Sequence, residues 1–243
     1  ALSTLQSSAS ALIPATTTTA ESKYQTASAS IADTTIASAT ATASAVAGQY
    51  SLEVSALAKA QRLVSPAGSA AVTASLAAGG TLSIELGTLS GTTGSYTYAA
   101  DSSKTLSISI AAGSTLEQVR DAINSAATDG RVTATIINGT AGKQLVLTSG
   151  QTGLANVMQL KGDTTLGTGF DFDPTGTTAS NLSQATADGG QAASNATFKI
   201  NGIAGTSSTN TVSGVLDGVT LNLLKTTARS EERRVGKECR SRW

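Results

Sequence analysis

Leu2, Leu5, Ala9 and Leu12 recur at spacings of three, four and three, which places them on one seam of a helix. Pro14 ends that pattern. Fewer than two heptads do not stand alone in water, so the seam is expected to need a partner helix from outside this stretch. Residues 15 to 47 are a Thr/Ala/Ser tract without clear periodicity, read as an extended connection. From Gly48 the pattern changes. Tyr50, Leu52, Val54 and Ala56 alternate with polar residues, the period-two signature of a half-buried strand, and Pro66 and Gly68 close the element.

Further alternating runs follow at Leu82, Ile84 and Leu86, at Tyr96 and Tyr98, and at Leu106, Ile108 and Ile110, each bounded by turn residues. They predict antiparallel hairpins. One helix is predicted between them and the next strands: Ser114-Thr115-Leu116-Glu117 has the form of a capping box from Ser114 to Glu117. Leu116, Val119, Ile123 and Ala126 make its apolar stripe. Strands are expected over Val132 to Ile137 and Gln144 to Thr148, joined through the Asn138-Gly139 region, and again over Ala196 to Ile200 and Val219 to Leu224. Residues 162 to 192, rich in Gly, Thr, Ser and Asp, read as a loop or hinge. The predicted fold is therefore mainly β (α+β): two β-rich domains, one inserted in the other, behind a short coiled-coil helix stub. Residues 48–66 with 193–228 form the first domain, 67–192 the insert, and 1–47 the stub and connection.

Composition narrows the chemistry. Charged residues are 13% and aromatics 3% of 243, so the core must be built from small aliphatic side chains. Such a core buries little area per residue, and stability reinforced by neighbouring subunits is expected. Histidine is absent, which removes the side chain best suited to acid–base work near neutrality. The single cysteine, Cys239, forms no internal disulfide. No run approaches the roughly 20 apolar residues that cross a bilayer, and the first residues lack a signal-peptide pattern. Membrane insertion is not expected.

Residues 229–243, RSEERRVGKECRSRW, differ from everything upstream, with six basic and three acidic residues and the only Trp. The peptide resembles the translation of a common sequencing adapter, and it is expected to be an artefactual tail on a truncated chain. Without it Lys plus Arg fall from 16 to 10 and Asp plus Glu from 16 to 13, a net charge of −3. A weakly acidic body gives no electrostatic case for nucleic acid.

Three segments carry a family resemblance. Gly48 to Gln61 is similar to a strand pattern ending in Leu57-Ala58-x-x-Gln61. Between Ser114 and Gly153, the residues Leu116, Ala122-Ile123-Asn124, Val132, Ala134, Leu145, Leu147, Ser149 and Gly153 resemble the hook IN motif of flagellar axial proteins. Asn195 to Gly202, followed by Asn210, Val212 and Gly218 to Leu223, supplies the third. In this order they resemble the flagellar hook-associated protein 2 family, the caps at the distal end of the flagellar filament. The resemblance implies an extracellular structural protein that forms a homo-oligomeric ring and works with flagellin and other hook-associated proteins. It also implies that the long C-terminal helical half lies outside this chain. Leu2, Leu5 and Leu12 are then the candidate oligomer or flagellin contacts. The alternative is an adhesin-like module that recognises surface glycans or mucin through the β head.

No catalytic, cofactor or metal residue is expected. Asp171-Phe172-Asp173 supplies only two carboxylates for a cation and reads better as a solvated turn before Pro174 and Gly176. Gly139 to Lys143 lacks the full phosphate-loop spacing and reads as a hairpin turn. The serines have no histidine base and no G-x-S-x-G elbow. Asn124, Asn138, Asn181, Asn195 and Asn210 are expected to cap, turn or bridge strands rather than bind sugars.

Overall fold

Thirteen β-strands and two helices lie along residues 28–227, the part of the chain that the computed structural model describes. The predicted helix seam at Leu2, Leu5 and Leu12 and the basic tail 229–243 fall outside these residues. The strands enclose two separate hydrophobic cores.

The first core lies between two three-stranded antiparallel sheets. One joins β1 (Ala37–Ala41), β13 (Val219–Leu223) and β12 (Thr211–Leu216) in that spatial order. The other joins β11 (Ile203–Ser207), β10 (Ala196–Ile200) and β2 (Leu52–Ala56). Val54, Phe198, Ile200, Val212, Leu221 and Leu223 meet between them. Strand β1 corrects the reading of 15–47 as a connection: Ala37 is fully buried and pairs with Leu223, with Ala39 opposite Leu221. Its inward residues are alanines set among Ser and Thr, so the alternation has almost no hydropathy contrast.

The second core has a larger enclosure. Strands β3 (Ala60–Val64), β8 (Gly142–Thr152) and β7 (Val132–Gly139) form one sheet. The other is organised on the long β4 (Gly80–Thr92), flanked on one side by β5 (Ser95–Ala100) and β6 (Leu106–Ile110) end to end. On its other side runs β9 (Val157–Gly162). Leu82, Ile84 and Leu86 are buried, as their alternation with Ser and Glu predicts.

Helix α1 (Ala70–Ala78) and helix α2 (Leu116–Ala126) belong to this second body. The sequence pattern missed α1, because Ala, Ser and Thr occur on every side of it and no stripe stands out. Val72 and Ser75 face inward, and Ser69 caps its first turn. In α2 the capping box sits one residue later than predicted: Thr115 accepts from the Gln118 amide and Gln118 reaches back to the Thr115 amide. Ser114 lies one residue before the cap, and its hydroxyl donates to Ala111 O at 2.6 Å. Glu117 instead pairs with Lys143 at the start of β8, and that hydrogen bond holds the Glu117 carboxyl down at about 2. Val119 and Ile123 are buried and Leu116 partly so, but Ala127 rather than Ala126 faces the core.

Two further corrections concern boundaries. Leu63 and Val64, read with the first domain, lie in β3, and Leu63 sits in the second core, so the chain changes bodies near Lys59 rather than Pro66. The link between β7 and β8 is Thr140-Ala141, with Gly139 opposite Gly142, so both strands run longer than expected. Residues 162–192, read as a loop or hinge, are a loop with no strand between β9 and β10, and over 163–182 that loop is pinned rather than hinge-like. Leu166, Phe170, Phe172 and Leu182 anchor it in the second core, Phe172 bridges to Leu160, and Gly169 lets the backbone approach Ser75 and Ala71.

Candidate functional site

The structure places the asparagines and motif residues of the sequence analysis mainly at joints. The chain crosses between the two bodies twice, outward at Leu57–Lys59 and back at Ser194–Asn195. The two crossings pair: Lys59 N donates to Ser194 O at 2.9 Å and Ser194 N to Lys59 O at 3.2 Å. Around this pair Asn195, Thr152 and Gly153 bond from one body to the other or to the crossing, while Asn210 fastens the outgoing chain within the first body. Ala58 N donates to Asn210 Oδ1 at 2.7 Å, and Asn210 Nδ2 returns a hydrogen bond to Ala58 O at 3.1 Å. Asn195 Oδ1 accepts from Leu154 N at 2.8 Å, and Thr152 Oγ1 donates to Ser208 O at 2.7 Å. Gly153 N donates to Lys59 O at 3.0 Å, and a Cβ on Gly153 would stand 2.4 Å from Ser208 O. This seam is polar and short-ranged, so it fixes orientation through directional bonds rather than buried area.

Gln61, two residues past the crossing, is fully buried. Its Oε1 accepts from Met158 N at 2.6 Å and its Nε2 donates to Gln184 Oε1 at 3.1 Å. It thereby satisfies β9 and the returning loop from inside β3. Asn124 bonds the Ala134 backbone, and Asn181 Nδ2 donates to Gly169 O at 2.6 Å. Four of the five asparagines singled out from the sequence thus bind backbone, as expected. Asn138 lies in β7, not in the turn.

The carboxylates are occupied by the chain itself. Asp171 accepts from Gly162 N at 2.7 Å. Asp173 is not in a solvated turn: it is 9% exposed and accepts from Thr175 N and Oγ1, Thr177 Oγ1, and Thr178 N and Oγ1. Burial works to raise the Asp173 pKa, but these donors outweigh it and hold the carboxyl well below the usual carboxylate range. Among the described residues no three His, Cys, Asp or Glu side chains come together as a metal site.

A depressed folded-state pKa stabilises the fold fully above the unfolded value near ~4 and ceases to do so as pH falls through the folded value. Segment 163–182 is therefore expected to loosen in acid below about pH 4. Thermal melting of the parent and of Asp173→Asn across pH 2 to 6 checks this: the parent should lose stability with acid and the variant should show a flatter profile.

A shallow open depression of about 260 Å³ lies on the solvent face of β4 and β9, lined by Thr81, Ser83, Glu85, Gln159 and Lys161. These side chains stand in parallel rows on a pleated sheet, with Ser83 opposite Lys161 and Glu85 opposite Gln159. Asp163 at its end already accepts from the Thr81, Thr165 and Leu166 amides.

Three family models match the chain: Flagellar hook-associated protein 2 N-terminus over residues 1–61, Flagellin hook IN motif over 88–151, and Flagellar hook-associated protein 2 C-terminus over 193–237. The structure of the flagellar cap protein FliD D2-D3 domains from Escherichia coli is 32% identical, with a TM-score of 0.62, and the match covers 79% of this chain and 90% of that one. The chain belongs to the flagellar hook-associated protein 2 family. A longer Escherichia coli structure, of the D1-D2-D3 domains, is 30% identical with a TM-score of 0.69, covering 93% of this chain and 57% of that one. The A-type flagellar hook-associated protein 2 of Pseudomonas aeruginosa is 34% identical over 216 residues, 82% of this chain. The chain spans about two-fifths of the length of the curated relatives it matches (40% and 38%).

The family segments coincide with the joints. Leu57-Ala58 lie on the outgoing crossing with Gln61 two residues beyond it, Asn195 lies on the return and bonds Leu154 beside Gly153, and Asn210 clamps Ala58. The hook IN match covers the β4–β5 hairpin, β6, α2 and the β7–β8 hairpin, and so begins upstream of the segment read from the sequence.

Proposed function

We propose that this chain is the head portion of a flagellar filament cap, a structural component without catalytic chemistry that promotes flagellin assembly at the distal tip. The observation that carries the reading is the agreement of both β bodies with solved D2-D3 domains of a flagellar cap protein over nine-tenths of that structure. The two cores and the bonded seam suit a plate element, which must hold its shape while flagellin subunits fold beneath it. In this reading the whole protein forms a homo-oligomeric ring outside the cell and contacts flagellin and neighbouring hook-associated proteins. Helical legs, of which Leu2, Leu5 and Leu12 would be part, engage the filament.

The test is a chimera in which residues 48–227 replace the matching head segment of the Escherichia coli cap protein in cells lacking their own. Filaments are expected to grow. Export of a folded chimera accompanied by loss of flagellin into the medium, with no filaments, contradicts the reading.

A further inference from the structure

Strand β1 ends at Ala41 opposite Val219, and β2 begins at Leu52 opposite Ile200, so residues 42–51 cross from one sheet of the first body to the other. Two posts hold this crossing. At its start Thr42 N donates to Gly218 O at 2.8 Å and Ala45 N donates to Thr42 O at 2.9 Å, while a Cβ on Gly218 would stand 2.5 Å from Ala45 N. At its end Ser51 N donates to Asn201 Oδ1 at 2.8 Å, and Ser51 O accepts from Asn201 N at 3.0 Å. Among the described residues nothing hydrogen-bonds to the five between, Val46 to Tyr50. All five are exposed, Val46 at 68%, and they run without a turn or a positive φ.

The other connections differ. The β4–β5, β7–β8 and β10–β11 links have two residues each. The loop before α2 is tied by Gly113 N to Leu76 O and Ser114 N to Ala111 O, and 163–182 is pinned in the second core. A protease holds its substrate as an extended strand bonded to its own backbone, so most loops must open locally before they can be cut. Residues 46–50 meet that demand in the folded chain.

We propose that residues 45–48 are a cleavage site, in the folded protein, for serine proteases whose S1 pocket takes a small aliphatic side chain. Ala45, Val46 and Ala47 offer only such side chains. No Lys or Arg lies between Lys23 and Lys59, so a pocket that takes basic residues finds nothing here. Tyr50 turns its ring back on Gly48, where a Cβ would stand 3.1 Å from the hydroxyl. In the reaction the protease serine attacks the carbonyl carbon, the peptide C–N bond breaks, and the new amine leaves with the proton held by the enzyme's base. Water then releases the new carboxylate and restores the serine. Everything upstream of the cut, Leu2, Leu5 and Leu12 included, stays with the two bodies only through non-covalent contacts, chiefly the pairing of β1 with β13.

The test treats the full chain with dilute pancreatic elastase and reads the products by mass and N-terminal sequence. Of the cuts within residues 28–227, the first should leave a new N-terminus at Val46, Ala47 or Gly48. Ala47→Pro removes an amide that bonds to no described residue, and should slow that cut at least about tenfold with melting unchanged. Val46→Asp with Ala47→Asp leaves the backbone unrestricted and carries the same expectation if the proline variant does not fold. Val212→Ala, which weakens the first core, should leave the rate unchanged, because no opening step precedes the cut. A first cut elsewhere within 28–227 overturns the proposal. So does either blocking variant cut at the parent's rate, or a cut that accelerates several-fold in Val212→Ala and so lies behind unfolding.

Discussion

Replacing Phe198 with alanine is expected to unfold the first body and leave the second folded. Among the described residues nine apolar side chains make the buried part of the first core, three of them alanines, and Phe198 is the only aromatic among them. The ring is 2% exposed, and Phe198 lies opposite Val54 on one side and Gly205 on the other. It packs directly on the Gly205 backbone, where a Cβ would stand 2.6 Å from the ring. Phe→Ala in a core costs about 3–5 kcal/mol, a large part of the ~5–15 kcal/mol that holds a typical domain. The second core, with twenty buried apolar residues including Phe170 and Phe172, does not include Phe198. Calorimetry should lose the transition of the first body while the second keeps its own, and methyl NMR should show native shifts only for second-body residues. Simultaneous loss of both would mean that the bodies unfold as one cooperative unit.

The same contrast in core composition explains what the sequence could reveal. Leu82, Ile84 and Leu86, and Leu106, Ile108 and Ile110, alternate with polar residues and were readable as strands, as was the stripe of α2. Strand β1 and helix α1 are built from Ala, Ser and Thr, whose inward and outward positions differ little in polarity, so neither left a pattern. Segment 162–192 read as a loop or hinge because its Gly and Thr outnumber the apolar residues that pin it. The seam had no local signal at all. Asn210 and Ala58 are 152 positions apart, as are the two ends of each clamp bond, and only the family resemblance put both residues in view. Gln61 was legible as part of a motif, but its burial and its bond to Met158 depend on β9, a strand that the sequence pattern did not yield.

Gly153→Val should uncouple the two bodies without unfolding either core. Gly153 has φ +85, a conformation that β-branched residues scarcely adopt. A Cβ there would also meet the Ser208 backbone at 2.4 Å from the carbonyl oxygen and 2.6 Å from Cα, atoms that cannot swing aside as a side chain would. Relief requires Gly153 to move, which breaks its hydrogen bond to Lys59 O and draws Thr152 from Ser208 O. Strain of about 1–3 kcal/mol and about 1 kcal/mol for each of the two bonds then fall on the seam. Neither core includes Gly153, so each body retains its buried residues. NMR relaxation should show the bodies tumbling with separate correlation times, where the parent shows one, and the two thermal transitions should move apart. Gly153→Ala should have the smaller effect, since alanine tolerates positive φ better than valine and presents one methyl group. If the valine variant tumbles as a single unit with unchanged melting, Gly153 does not set the joint. In the chimeric cap the same substitution separates shape from stability: an exported, folded head that no longer supports filaments would locate the requirement in the fixed angle between the bodies.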